Sequence, residues 1–145
     1  MHFLAKVRRA NRADAAKIYK IGTSTSEFAV SKKIKFFTLN ELKEFVDRKD
    51  CIFLVAKVRK EIAGFVIAFV MTRYWLFVDN FYILPKFRRQ EVASELEKVM
   101  IKVAKKKKID YISRIVKPSH ASSRKFLKKK GYKETTGFLW LEKFI

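Results

Sequence analysis

Segments with strand-like and helix-like spacing of apolar residues alternate along almost the whole of this 145-residue chain. The pattern predicts the element order β-α-α-β-β-β-α-β-α-β, an α+β layout in one domain spanning residues 1–145. The strands are assigned to residues 3–9, 52–58, 62–71, 75–84, 111–116 and 138–144, and the helices to residues 12–21, 39–48, 91–106 and 119–130. The strand that follows the third helix is predicted to run parallel to its predecessor, which makes the central sheet mixed.

Capping residues mark the ends of three predicted helices. Asn11 precedes Asp14 by three residues and resembles a capping pair, and Thr38 with Glu41 forms a capping box. Gly131 is placed to end the last helix, because glycine adopts the left-handed conformation that often follows a helix.

Other segments are predicted as turns or carry no clear pattern. Residues 22–26, G-T-S-T-S, favour a loop, and the tripeptide R-K-E between the second and third strands signals a hairpin. Gly64 inside the third strand indicates a bulge or a close approach of another backbone. Residues 27–37 cannot be assigned.

The composition excludes several classes of protein. A hydrophobic fraction of 49% excludes a disordered chain, and the longest charge-free run, residues 62–72, is shorter than the roughly 20 residues of a membrane span. The N-terminal residues lack a secretory apolar core, and the single Cys51 cannot form an internal disulfide, so a cytoplasmic protein is expected. With only Cys51, His2 and His120 available, no metal site is predicted.

The net charge of +20 is the strongest feature of the composition. It predicts attraction to polyanions such as nucleic acid or a phosphorylated ligand. A lysine-rich, solvated surface without a binding role explains the same composition. The charge alone does not separate these two interpretations.

One stretch has the layout of a phosphate-binding site. Residues 78–96 read V-D-N-F-Y-I-L-P-K-F-R-R-Q-E-V-A-S-E-L: a strand that stops at Pro85, a basic turn, and the start of a helix. The first N–H groups of a helix have no partner within it, and the helix dipole adds positive potential there. Arg88 and Arg89 supply full positive charges at the same place.

This stretch resembles motif A of the GNAT superfamily of N-acetyltransferases, a strand followed by P-x-x-R-G-x-G-I/V-G/A-x-x-L. The positions that match are Pro85, Arg88, Val92, Ala93 and Leu96. The strand itself is similar to that of spermidine/spermine-type acetyltransferases. Arg89 and Glu91 replace the two glycines that let a backbone approach a pyrophosphate, and the Glu91 carboxylate has the wrong sign for that anion.

The resemblance implies the GNAT fold and an N-acetyltransferase that moves an acetyl group from acetyl-CoA to a primary amine. The acceptor is a small molecule or a protein. The resemblance also implies a base at Asp79 and a carbonyl-polarising backbone N–H at Ile83. The implied acetyl-CoA contacts are Tyr82, Ile83, Leu84, Arg88, Arg89, Gln90, Glu91, Val92, Ala93, Ser94, His120 and Ser123. Asp79 is alternatively a solvent-facing strand residue, and Tyr82 a half-buried core residue.

Residues 116–132, V-K-P-S-H-A-S-S-R-K-F-L-K-K-K-G-Y, resemble motif B of the same family. His120 stands at the asparagine position of that motif and Ser123 at the alanine position. Leu127 takes the place of the tyrosine that often protonates the coenzyme A thiolate, so that role is vacant. The lysines of residues 125–133 are either a phosphate-binding face or a solvated helix face.

Two other functions are compatible with the sequence. A GNAT-fold module without turnover would bind coenzyme A as a ligand, or nucleic acid through its basic face. A nucleic-acid-binding domain of another fold is disfavoured, because none of its usual signatures is present. The resemblance also allows a homodimer formed through the last strands.

Overall fold

The computed structural model describes residues 4–28, 36–88 and 91–145. Clustering of contacts divides the chain into two compact units, Met1–Arg114 and Ile115–Ile145. The strands are β1 (Lys6–Arg9), β2 (Cys51–Val58), β3 (Glu61–Thr72), β4 (Trp75–Ile83) and β5 (Tyr111–Arg114). The helices are α1 (Arg12–Thr23), α2 (Leu39–Asp47), α3 (Val92–Lys106) and α4 (Ala121–Lys129), with short 3₁₀ turns at Ser26–Phe28 and Pro85–Phe87.

The first unit is built on a five-stranded sheet in the order β1-β2-β3-β4-β5. The pairs β1–β2, β2–β3 and β3–β4 are antiparallel, and the pair β4–β5 is parallel. The sheet is therefore mixed, as predicted. The parallel pair is joined by α3, as a parallel connection requires.

Each face of the sheet buries its own apolar core. On one face α3 places Leu96 and Met100 against Val66 and Leu76. On the other face Ile18 of α1 and Leu42 of α2 pack with Phe65. β2 and β3 are buried on both sides because helices cover both faces, which explains their unbroken apolar sequences.

The helix ends confirm the capping predictions. The side chains of Asn11 and Asp14 cap α1 reciprocally, and those of Thr38 and Glu41 do the same for α2. Gly131 has a φ of 93°, the left-handed conformation predicted after α4.

Two predictions about secondary structure are wrong. Residues 22 and 23 belong to the last turn of α1 rather than to a loop. Residues 138–144 form no strand, and Phe138, Leu139 and Leu141 are each more than 85% exposed. An apolar, β-prone sequence becomes a strand only where a neighbour pairs with its backbone groups, which the sequence of the segment does not specify. No described helix is long and apolar enough to cross a membrane.

Asp14 should be the main acid-sensitive contact of α1. Its carboxylate is buried and accepts hydrogen bonds from Arg8 at 2.5 and 3.0 Å and from the Asn11 backbone N–H at 2.8 Å. Burial by itself would raise the pKa of Asp14, but the bonds from Arg8 and Asn11 outweigh it, and the pKa is lowered. Asp14→Asn should lower the free energy of unfolding at pH 7 by about 2 kcal/mol, measured by urea titration.

The pH dependence of this difference follows from the lowered pKa. The stabilisation is present above the unfolded pKa of about 3.9 and is lost as pH falls through the lower folded pKa. The wild type and Asp14→Asn should therefore converge in stability in strong acid. Asp50→Asn is the matched control, because Asp50 forms an exposed pair with Arg48. Equal losses in the two variants would contradict the assignment.

Candidate active site

The parallel strands β4 and β5 separate part-way along β4. They pair only from Trp75 opposite Tyr111 to Val78 opposite Arg114, whereas β4 continues to Ile83. Among the described residues no strand pairs with the outer edge of β4 beyond Val78. Apart from the Ile83 carbonyl, which accepts a hydrogen bond from Arg88, the backbone groups of that edge have no strand partner in the ranges that the structure describes and can bind a ligand.

A β-bulge lies where the two strands separate. Across the β3–β4 ladder Ile67 pairs with Asn80 and Ala68 with Val78, so Asp79 is the extra residue on β4. A bulge bends its strand and redirects the side chain at that position. Asp79 therefore lies at the start of the open edge.

The backbone of Ile83 faces this open edge. The next residue, Leu84, donates its N–H to Ala63 of β3 at 2.8 Å. Backbone groups of successive strand residues point to opposite sides, so the N–H and the carbonyl of Ile83 point away from β3. This is the orientation required of the carbonyl-polarising N–H predicted at Ile83.

Gly64 lets β3 approach the end of β4. A Cβ at residue 64 would lie 2.6 Å from the Tyr82 carbonyl oxygen and 2.6 Å from Cδ1 of Ile83. The prediction of a close backbone approach is confirmed, since any side chain here would displace the segment that carries the Ile83 N–H.

Asp79 has the electrostatics of a proton acceptor. Part of its side chain reaches solvent, yet the surrounding protein raises the pKa of its carboxyl. A hydrogen bond of 2.6 Å from Asn80 Nδ2 opposes that rise. A carboxylate with a raised pKa is a stronger base than one with an ordinary pKa.

Arg88 makes different contacts from those implied by its position in motif A. Its Nε donates to the Ile83 carbonyl at 3.0 Å, and its Nη2 lies 3.4 Å from both carboxylate oxygens of Glu27. Its guanidinium carbon lies 5.5 Å from the centre of the Tyr82 ring. The guanidinium thus joins the end of β4 to the turn at Ser26–Phe28 rather than standing free for a phosphate.

An aromatic cluster borders the same end of β4 on the α1–α2 face. The Phe28 ring lies 4.9 Å from that of Tyr82 and 4.8 Å from that of Phe36, and Phe65 packs beside them. Tyr82 is buried and belongs to this core, in agreement with the alternative prediction of a core residue. The sequence analysis missed Glu27 and Phe28, which lie in the segment without a clear pattern.

The first turn of α3 offers backbone donors beside the open edge. Val92, Ala93 and Ser94 lie in this turn, where N–H groups have no carbonyl partner inside the helix. Glu91 precedes them in the left-handed conformation, with a φ of 61°, and its side chain makes no cap hydrogen bond. A glycine adopts that conformation without strain, so Glu91 occupies a backbone position suited to the glycine of motif A.

Four predicted cofactor residues are not among the described residues of the first unit. Arg89 and Gln90 fall outside the described residues. His120 and Ser123 belong to the second unit, where His120 precedes α4 without a side-chain cap and Ser123 is exposed. Leu127 is buried. Arg124 in the same helix forms a two-point ion pair with Glu134 at 2.8 and 2.9 Å.

Neither a metal site nor a cysteine nucleophile is present in the described part of the chain. No group of three potential metal ligands occurs there. Burial raises the pKa of Cys51 to about 12, so its thiol stays protonated at neutral pH.

Comparison with protein families decides the class of this site. The model of the acetyltransferase (GNAT) family matches residues 16–132. The chain belongs to the GNAT acetyltransferase family. Enzymes of this family are N-acetyltransferases that use acetyl-CoA as the acetyl donor. No curated protein matches the chain in sequence.

Solved structures show the same fold at low sequence identity. AAC(6')-Iy in complex with the bisubstrate analogue CoA-S-monomethyl-acetylneamine has a TM-score of 0.80 and 17% identity, covering 98% of this chain and 99% of the other. The PaiA N-acetyltransferase from Thermoplasma acidophilum, in complex with coenzyme A, has a TM-score of 0.78 and 17% identity, covering 92% and 94%. The ribosomal-protein-S18-alanine N-acetyltransferase from Escherichia coli has a TM-score of 0.74 and 15% identity, covering 92% and 80%.

In a GNAT enzyme, Glu91 should weaken the binding of acetyl-CoA. Glu91→Gly removes one carboxylate near the position predicted for the pyrophosphate and relieves the left-handed strain of a residue with a Cβ. We expect acetyl-CoA to bind about five-fold more tightly, since two unit charges about 4 Å apart in water interact by about 1 kcal/mol. We expect the free energy of unfolding to rise by about 1 kcal/mol. Calorimetry and urea titration measure the two effects.

Glu91→Gln separates charge from backbone strain. It removes the carboxylate and keeps the Cβ, so it should reproduce the gain in affinity without the gain in stability. If Glu91→Gly bound acetyl-CoA no better than the wild type, the placement of the pyrophosphate beside residue 91 would be wrong.

Proposed function

We propose that this chain transfers an acetyl group from acetyl-CoA to a primary amine on an acceptor with little positive charge of its own. The observation that carries the proposal is the open edge of β4. There the Ile83 backbone points away from β3, and Asp79 lies at the bulge where β4 and β5 separate. The first turn of α3 supplies donors for phosphate oxygens beside it.

Each group has a defined role in this reaction. The amine nitrogen bonds to the acetyl carbon of acetyl-CoA as the thioester C–S bond breaks, and coenzyme A leaves as a thiolate that takes a proton from water. The Ile83 N–H stabilises negative charge that develops on the acyl oxygen as the amine attacks. Free alkyl amines have a pKa near 10.4 and are protonated at neutral pH, so a base must first accept a proton from the ammonium group. Asp79 is that base in the proposal.

The spacing of the two groups determines how the proton travels. Asp79 and Ile83 are four positions apart, which at about 3.3 Å per residue corresponds to about 13 Å along the strand. Direct contact between Asp79 and an amine beside Ile83 is excluded at that distance. The proton therefore passes through ordered water, which the open edge of β4 can admit.

The net charge of the chain limits the acceptor. At +20 the enzyme repels polycations at long range, although its strand β4 resembles that of polyamine acetyltransferases. A protein N-terminus, a lysine in an acidic protein, or an amine on a nucleic-acid-associated partner is electrostatically favoured. Acceptors of these kinds are therefore the first to be tested.

Calorimetric titration with acetyl-CoA and with free coenzyme A, at low and high salt, tests the proposal. We expect micromolar binding that survives high salt, because contacts to the pantetheine chain are not ionic. Mass spectrometry of acidic peptides with free amines, incubated with acetyl-CoA, should then show an added acetyl group that depends on the enzyme. No binding at either salt would refute an acetyl-CoA site.

A module that binds without turnover is the competing function. Leu127 supports it, because a buried leucine stands where many relatives have a tyrosine acid. Tight binding of acetyl-CoA combined with no acetylation of any amine tested, and no release of free thiol, would favour this alternative.

A further inference from the structure

The end of the sheet opposite the open edge carries a second group of functional side chains. The β3–β4 turn contains Arg73 and Tyr74, and β4 starts at Trp75. The Tyr74 carbonyl accepts hydrogen bonds from the backbone N–H groups of Asp110 at 3.1 Å and Tyr111 at 3.0 Å. These bonds fix the turn against the start of β5.

Two tyrosines are exposed at this end. Tyr74 is 49% exposed and Tyr111 is 59% exposed, although apolar cores on both faces of the sheet could bury aromatic rings. The Trp75 ring packs against the Tyr111 ring, with ring centres 6.1 Å apart. The Nε1 of Trp75 donates a hydrogen bond of 2.6 Å to the hydroxyl of Ser113. The rings are thus presented on a rigid base.

Lysines of α3 and of the residues after it precede Tyr111 in the chain. All fully exposed residues of α3 are lysines, namely Lys98, Lys102, Lys105 and Lys106. Lys107 and Lys108 continue the run to within three residues of Tyr111, and Lys107 donates from Nζ to the Lys49 carbonyl at 2.9 Å. Arg73 adds a guanidinium 5.3 Å from the centre of the Tyr74 ring.

The nearby carboxylates are fewer than these cations. Asp50 is bound by Arg48, with Nε and Nη2 of the arginine at 2.8 and 2.7 Å. Asp110 is the one acidic residue in the segment from Lys102 to Tyr111. On an ordinary solvated helix, acidic residues one turn from the lysines would form favourable pairs. The exposed residues of α3, by contrast, are all positively charged.

We propose that Tyr74, Tyr111, Arg73, Lys105, Lys106 and Lys108 form a docking patch for single-stranded nucleic acid. Aromatic faces stack on unpaired bases whatever their identity, and cations along the same groove hold the phosphates. A duplex keeps its bases stacked on one another and would leave the tyrosines without a role. An anionic membrane would instead be met by aliphatic side chains on a basic amphipathic face.

The patch is separate from the acetyl-transfer site. Trp75 and Ile83 are eight positions apart on β4, which at about 3.3 Å per residue places the two ends of the strand about 26 Å apart. Binding at the patch therefore does not depend on the proposed function. The two can be tested independently in one preparation of the full chain.

Fluorescence anisotropy of a labelled 12-nucleotide oligouridylate, measured over a range of NaCl concentrations, tests the patch. The variant Lys105→Gln/Lys106→Gln/Lys108→Gln should reduce the slope of log K against log salt by about 2, since each phosphate contact to a single strand contributes about 0.7. Lys17→Gln/Lys20→Gln/Lys60→Gln removes the same charge from exposed lysines elsewhere and should leave the slope nearly unchanged.

The tyrosines are tested by Tyr74→Leu and Tyr111→Leu, which keep apolar volume and remove the stacking ring. Each should weaken binding at least about five-fold without changing the salt slope. Far-UV circular dichroism and urea titration of the same variants should match the wild type, which shows that they are folded. Equal slopes for the two lysine triples, or wild-type affinity in both tyrosine variants, would overturn the proposal. Tighter binding of a 12-base-pair duplex or of phosphatidylserine vesicles would overturn it as well.

Discussion

Asp79→Asn will lower kcat by about 100-fold or more, within the range by which a positioned general base accelerates a reaction. The asparagine keeps the shape of the side chain at the β4 bulge but cannot accept a proton. KM for acetyl-CoA should stay close to the wild-type value, because the donors at Ile83 and in the first turn of α3 are untouched. A steady-state assay on any acceptor found by mass spectrometry measures both constants.

The same substitution should stabilise the protein at neutral pH. Although Asp79 is exposed, partial desolvation by the neighbouring protein raises the pKa of its carboxyl in the folded state, so its ionised form is disfavoured by folding. The stabilisation of the folded state by the protonated Asp79 carboxyl is therefore fully present below the unfolded pKa of about 3.9, and it is lost as pH rises through the folded pKa. Asp79→Asn should exceed the wild type in free energy of unfolding at pH 7, and the difference should vanish in acid.

Asn80→Ala is the complementary control. Asn80 donates to the Asp79 carboxylate and so lowers its pKa. Without this bond the acid limb of the pH–rate profile should move to higher pH, and in Asp79→Asn that limb should be absent. Activity and an acid limb retained in Asp79→Asn would show that another group is the base.

Glu97→Gln should cause the largest loss of stability among single charge changes in the first unit. Glu97 on α3 and Arg114 on β5 form an ion pair at 2.9 Å, with side chains only 5% and 8% exposed. The Arg114 guanidinium also lies 4.6 Å from the centre of the Phe81 ring. Removing one charge leaves the other buried without full compensation, which costs about 3–5 kcal/mol. Urea titration measures the loss.

Glu134→Gln is the matched control for this experiment. Glu134 also binds an arginine at two points, but its side chain is 50% exposed. An exposed pair contributes about 0–1 kcal/mol, so this change should be nearly silent. The double variant Glu97→Met/Arg114→Met should recover much of the stability, because apolar residues of similar volume replace a buried pair well. Equal effects of Glu97→Gln and Glu134→Gln would contradict the assignment.

Local rules were sufficient where the structure depends on neighbours in the chain. The capping boxes at Asn11 and Thr38 and the left-handed Gly131 are set by residues within one helical turn. The hairpin of β2 and β3 and the parallel β5 follow from apolar pattern and element order. The resemblance to motif A predicted a role for the Ile83 N–H, and in the structure this N–H points away from β3.

Contacts between residues distant in the chain could not be predicted. The ion pair between Arg88 and Glu27 joins residues that are 61 positions apart, and it moved Arg88 away from the role that motif A implies. The bulge at Asp79 is visible only in the register of β3 against β4. The C-terminal residues 138–144 have the composition of a strand, but a strand forms only by pairing with a neighbouring strand, and composition does not identify that neighbour.

The contact at Gly64 has a consequence for how this enzyme tolerates mutation. Residue 64 touches no reacting atom, and many strand interiors accept alanine at modest cost. Here a methyl group would press on the Tyr82 carbonyl and on Ile83. A saturation mutagenesis screen for activity should therefore find position 64 as intolerant as a substrate-contacting residue. A screen for expression alone should accept alanine at the same position more readily.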